Sequence, residues 1–116
     1  MAKQSGLPVM LHTLQALVEC ESPTSDLESA FAVTVLAKEL SSDWLPSDSR
    51  IEVHGGRPVW RWGPDQPQIL LLGHLDTVWP IGTLESIPFA INGDRLTGPG
   101  VFDMKAGVVQ GGAAIK

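Results

Sequence analysis

The run Ile69-Leu70-Leu71-Leu72 limits what this chain can fold into more than any other feature. Four consecutive apolar residues leave no polar face. An extended segment of that kind needs cover on both sides, as a central strand of an α/β sheet has. It leads directly into Gly73-His74-Leu75-Asp76. Residues two apart in extended backbone share a side. His74 and Asp76 are therefore expected to face one site together at the carboxyl end of that strand, where open α/β sheets bind ligands. On spacing alone, a satisfied loop histidine and a turn or capping aspartate remain an open alternative.

The flanking segments agree with an α/β layout. Leu7, Met10, Leu11, Leu14, Leu17 and Val18 recur at helical steps, giving a helix over residues 7–20 that ends at Ser22-Pro23. Ser25 and Glu28 fit a capping box for a second helix running to about residue 42. Leu27, Phe31, Val35, Leu36 and Leu40 mark its buried stripe. Residues 51–53 and 59–62 alternate as strands do, with Gly55-Gly56 as a hairpin turn. Trp60 and Trp62 share one face of the second strand, consistent with hairpin packing. Asn92-Gly93-Asp94 is a further turn. A third helix is expected from Met104 to Lys116, and its Gly107, Gly111 and Gly112 suit close packing against a neighbour.

A second stretch, Gly98-Pro99-Gly100-Val101-Phe102-Asp103, places a carboxylate after a tight turn and ahead of that helix. Asp103 is a plain N-cap candidate. It is also suited to bridge two metal ions, the arrangement of two-metal hydrolases. Nitrogen and oxygen donors suit zinc, and cobalt or manganese can take the same set. A dinucleotide loop is excluded, because Asp103 stands where a third glycine is needed and its charge would repel a pyrophosphate. A Walker-type glycine loop and a Gly-x-Ser-x-Gly elbow are also lacking.

Composition excludes other classes. With 8 basic and 13 acidic residues the net charge is -5, unlike a nucleic-acid binder. No apolar run approaches the roughly 18 residues of a membrane span. The start, residues 1–6, does not read as a signal peptide. The single cysteine, Cys20, forms no internal disulfide and reads as a small apolar filler, so a cytoplasmic setting is expected.

The two stretches together resemble one family. Gly73-His74-Leu75-Asp76-Thr77-Val78-Trp79-Pro80, Gly82-Thr83-Leu84, Pro88-Phe89 and Gly93 through Gly107 are similar to the zinc exopeptidases and deacylases. That family includes glutamate carboxypeptidase, acetylornithine deacetylase, succinyl-diaminopimelate desuccinylase and aminoacylase. Glu21 through Asp26 looks like its loop between the first two helices, and residues 7–116 carry the likeness. The resemblance implies that residues 1–116 form the amino-terminal part of a three-layer catalytic domain, with a mixed sheet between helices. It implies His74 as a ligand of one zinc, Asp103 as a bridge between two, and Asp76 as the supporting catalytic acid beside His74. It implies a cis Asp103–Met104 peptide. It also implies hydrolysis of an amide beside a free carboxylate, in a small peptide or an N-acyl amino acid, most like the glutamate carboxypeptidase branch.

The chain departs from that family after Asp103, where no further Asp or Glu occurs. The family's general-base glutamate, its later metal ligands and its dimerisation domain have no counterpart here. His12 and His54 read as surface or packing residues. Weak or no metal binding and no hydrolysis are expected of these residues alone. The alternative is a non-catalytic half-domain that serves as an assembly module and self-associates through an exposed sheet edge.

Overall fold

The computed structural model describes residues 6–115. Met1 to Ser5, which make up most of the start that does not read as a signal peptide, and Lys116, the expected end of the third helix, lie outside the described residues.

Two helices open the structure, α1 (Leu7–Glu19) and α2 (Leu27–Leu40). Along α1 the periodic stripe is buried at Leu14, Leu17 and Val18. The stripe of α2 is rotated from the expected one. Ala30, Val33, Thr34 and Ala37 are buried, whereas Leu27 and Val35 are exposed. Small side chains let the backbone of α2 approach its neighbours, so the bulkier residues are displaced to the flanks. The capping box also shifts by one residue. Asp26, not Ser25, is the N-cap; its carbonyl accepts from Ala30 N at 3.1 Å and its carboxylate from Ser29 Oγ at 2.6 Å. A short turn, Ser41–Asp43, ends α2.

The hairpin forms as expected. β1 (Arg50–His54) pairs antiparallel with β2 (Arg57–Arg61) around Gly55-Gly56. Trp60 Nε1 donates to Ser49 Oγ and Trp62 Nε1 to Ser47 Oγ, both at 2.8 Å, which ties the indoles to the segment leading into β1. A short helix α3 (Thr83–Ser86) and a second hairpin of β3 (Ala90–Asn92) and β4 (Arg95–Thr97) follow. The last element is α4 (Ala106–Ile115). Regular helix begins at Ala106 and not at Met104, because Asp103 and Met104 have non-helical backbone.

The expected central strand is not formed. Residues 69–72 carry no strand pairing and are 80%, 71%, 64% and 85% exposed. Among the described residues the sheets are two separate antiparallel pairs, with one isolated parallel bridge between Pro23 and Thr77. The mixed sheet read from the sequence is thus absent among the described residues. A strand buried on both faces needs partners along both edges, and none of the described residues supplies them. The architecture is a mixture of helices and small antiparallel sheets, an α/β arrangement.

The core lies between α1, α2 and α4, where Leu14, Leu17, Val18, Val33, Ala37, Trp44, Val101 and Val109 form one cluster. The Trp44 ring packs directly on α4 at Gly112. A Cβ at that position would overlap the indole, so only glycine admits the contact. Gly111, expected to share that role, faces open space: a Cβ there would meet nothing within 4 Å.

Candidate active site

The site is assembled by a clasp between two distant loops. Thr77 N donates to Ser22 O at 2.9 Å, and Thr24 N donates to Thr77 O at 2.9 Å. Ser22 Oγ donates to Leu75 O at 2.8 Å. These bonds fix Leu75-Asp76-Thr77 against the α1–α2 loop. Pro23 interrupts helix and leaves the flanking backbone groups free to pair this way.

Two buried or capping charges hold the clasp in register with the rest of the core. Lys105 is 1% exposed, and its Nζ donates to Leu17 O at 2.8 Å and Cys20 O at 3.1 Å. It therefore satisfies carbonyls at the carboxyl end of α1, which have no partner within the helix. Burial lowers its pKa to about 8, against the opposing pull of Cys20, Glu21 and Asp76. Burial likewise raises the Cys20 thiol, partly countered by Lys105. The Glu21 carboxylate accepts from Gly82 N at 3.0 and 3.1 Å and from Leu84 N at 3.2 Å, anchoring the start of α3. Gly100, at φ 81°, presses on Thr77; a Cβ there would lie 2.5 Å from Thr77 Cγ2.

His74, Asp76 and Asp103 come together on this frame. His74 Nδ1 lies 3.0 Å from Asp76 O and 3.3 Å from Asp76 Oδ1. Its Nε2 lies 2.9 Å from Asp103 Oδ1. Asp76 Oδ2 accepts from Thr24 Oγ1 at 2.5 Å. The backbone of Asp103 is extended, at φ -123° and ψ 95°, and the Asp103–Met104 peptide is cis. Burial opposes a positive charge on His74, but the Asp76 carbonyl and the Asp103 and Asp76 carboxylates outweigh it and raise the His74 pKa above its ordinary value.

An ionised carboxylate can only accept, so the two contacts at Nδ1 require a proton there. The 2.9 Å contact of Nε2 with the Asp103 carboxylate calls for a proton there as well, and it is this proton that a metal beside Asp103 would displace while Nδ1 keeps its own. Donors on a tetrahedral zinc with bonds near 2.1 Å stand roughly 3.4 Å apart, so the His74–Asp103 separation needs little adjustment. The Asp103 side chain is 77% exposed, with no hydrogen bond to its second oxygen among the described residues. Asp103 does not act as a simple helix cap, since its carboxylate is turned to His74.

The three residues singled out from the sequence thus share one place, and the other two histidines lie elsewhere. His12 is exposed on α1, and His54 pairs with Glu52 at 2.9 Å on the first hairpin. Among the described residues no group of three or more His, Cys, Asp and Glu side chains is placed to hold one ion. Sequence reasoning missed Thr24, Glu21 and Lys105 as supporting residues. Lys105 had one signal: between Met104 and Val109 it is the one charged residue, just ahead of a helix.

The chain is similar to Carboxypeptidase G2 of Pseudomonas sp. (strain RS-16), at 34% identity over 105 residues. The match covers 86% of this chain and 25% of that protein, so the chain spans about a quarter of the length of the curated relative it matches. No family model matches the chain. The similarity supports a relationship to peptidases and, with it, to hydrolases. Among the described residues no helix is long and apolar enough to cross a membrane.

Proposed function

We propose that this chain supplies part of the metal site of a carboxypeptidase-type metallohydrolase that cleaves an amide beside a free carboxylate, in a small peptide or an N-acyl amino acid. The observation that carries this reading is the His74 side chain, fixed through Nδ1 by Asp76 and directed through Nε2 at Asp103. A metal-binding histidine held by a carboxylate or carbonyl at its other nitrogen is the usual arrangement of such sites. His74 and Asp103 hold zinc, and Asp76 keeps the imidazole in the required tautomer. Zinc, when bound, polarises the scissile carbonyl and lowers the pKa of water. The parent domain is the three-layer zinc-exopeptidase type, with two ions in the complete enzyme. Two donors are fewer than the three or four protein ligands usual for zinc. The remaining ligands and the general base come from outside these residues, and the 116 residues alone bind zinc weakly and do not hydrolyse substrate.

Zinc titration followed by NMR of the imidazole nitrogens tests this directly. Added zinc should shift His74 Nε2, and His74→Ala or Asp103→Ala should abolish the specific shift. Asp76→Asn should weaken binding by roughly 10-fold or more. Zinc that leaves His74 unperturbed, or that binds equally well without Asp103, would sink the proposal.

A second reading, an assembly module, is favoured by the exposed run Ile69–Leu72 and by Phe102, which is almost fully exposed. Exposed apolar residues in a run such as 69–72 offer surface for contact between chains.

A further inference from the structure

We infer that Thr24 is a positioning residue for the proposed metal site, holding the Asp76 carboxylate in the orientation that presents its other oxygen to His74. This inference rests on the reading of His74 and Asp76 given above. Thr24 lies 52 residues from Asp76 in sequence, yet its hydroxyl is 2.5 Å from Asp76 Oδ2. The same hydroxyl is 3.1 Å from Thr77 O. A hydroxyl has one proton to give, and the shorter contact to the ionised acceptor takes it.

The backbone of Thr24 is held on both sides. Its N–H donates to Thr77 O at 2.9 Å, and its carbonyl accepts from the Arg57 guanidinium at 3.0 Å. Only χ1 is left to set the hydroxyl, and β-branching narrows that choice. The consequence is a division of labour on Asp76. Oδ2 is occupied by Thr24, so Oδ1 is left facing His74 Nδ1 at 3.3 Å. Without the hydroxyl, the Asp76 side chain is free to turn about χ1, and His74 Nδ1 keeps only the Asp76 carbonyl at 3.0 Å. The backbone of the clasp is unaffected by that loss, since Thr77 still pairs with Ser22 and Thr24 through main-chain groups.

The test compares Thr24→Val, Thr24→Ser and the unchanged 116-residue chain by three-bond couplings at Asp76 and Thr24, without metal. Valine keeps the shape of threonine and removes the donor; serine restores the donor. A single Asp76 rotamer is expected in the unchanged chain and in Thr24→Ser, with averaging in Thr24→Val at an unchanged melting temperature. In zinc titrations Thr24→Val should bind roughly threefold to tenfold more weakly, less than the ~10–100-fold loss typical of removing a direct partner of the ligand. A single Asp76 rotamer retained in Thr24→Val would overturn the inference. If Thr24→Val does not fold, averaged Thr24 or Asp76 rotamers in the unchanged chain would overturn it equally. Failure of the metal reading shows separately, as a His74 that never responds to zinc while the metal-free rotamer comparison still decides the role of Thr24.

Discussion

Leu14, Leu17 and Val18 of α1 and Ile69 to Leu72 are equally apolar, but the first group is buried and the second is exposed. The difference lies in how each backbone is satisfied. A helix closes its own hydrogen bonds and needs cover on one stripe only, which α2 and α4 provide. An extended segment needs neighbours along both edges as well as cover above and below. Apolarity therefore predicts burial for α1 because the demand is met locally, and fails for residues 69–72 because it depends on partners elsewhere.

The largest effect that can break this comparison is at Leu17, which is fully buried. Leu17→Ala should lower the unfolding free energy by about 2–5 kcal/mol in urea titrations, through lost burial and the cavity left behind. A loss near zero would mean that α1 is not the centre of the core.

The next effect concerns the carboxyl end of α1. The Lys105 pKa falls from 10.5 unfolded to about 8 folded. Between these values the unfolded chain binds more protons, so the unfolding free energy rises with pH across that window. The gain is roughly 3–4 kcal/mol at most, from about 1.4 kcal/mol per pKa unit. Urea titrations from about pH 7 to 10.5 should show the difference between the unchanged chain and Lys105→Met growing with pH. A constant difference would show that Lys105 keeps its proton in the fold.

The smallest effect lies in the exposed run. Leu71→Asp should change the unfolding free energy by no more than about 0.5 kcal/mol, as exposed positions do. If the run joins chains together, the same substitution should shift sedimentation toward the monomer. A large loss of stability would show that Leu71 is covered within the monomer, and an unchanged sedimentation profile would remove the assembly reading.

The sequence is informative where the governing interactions are local. The step of Leu14, Leu17 and Val18 reports α1, and Gly55-Gly56 between alternating segments reports the first hairpin. His74 and Asp76 meet as their two-residue spacing predicts, although no strand is formed at these residues. The N-cap of α2 falls one residue past the capping pattern because Ser25 and Asp26 are both good caps; backbone angles make the choice, and Asp26 has the extended ones. Lys105 looks like a surface charge because nothing near it in sequence reveals that α1 ends against it. Thr24 and Glu21 are legible only as parts of a loop, since their partners lie 52 to 63 residues away.

The clasp between Ser22 and Leu75 also carries a cost in chain entropy. It closes a loop of 53 residues, a closure whose length-dependent entropy is about 3.5 kcal/mol from the logarithmic rule. The hydrogen bonds of the helices and of the first hairpin, by contrast, join residues close in sequence. His74 and Asp76 lie on the segment that this closure fixes in place, so their arrangement beside Asp103 is expected to loosen when the clasp opens. A chain that retains its helices by circular dichroism can therefore already have lost the meeting of His74, Asp76 and Asp103.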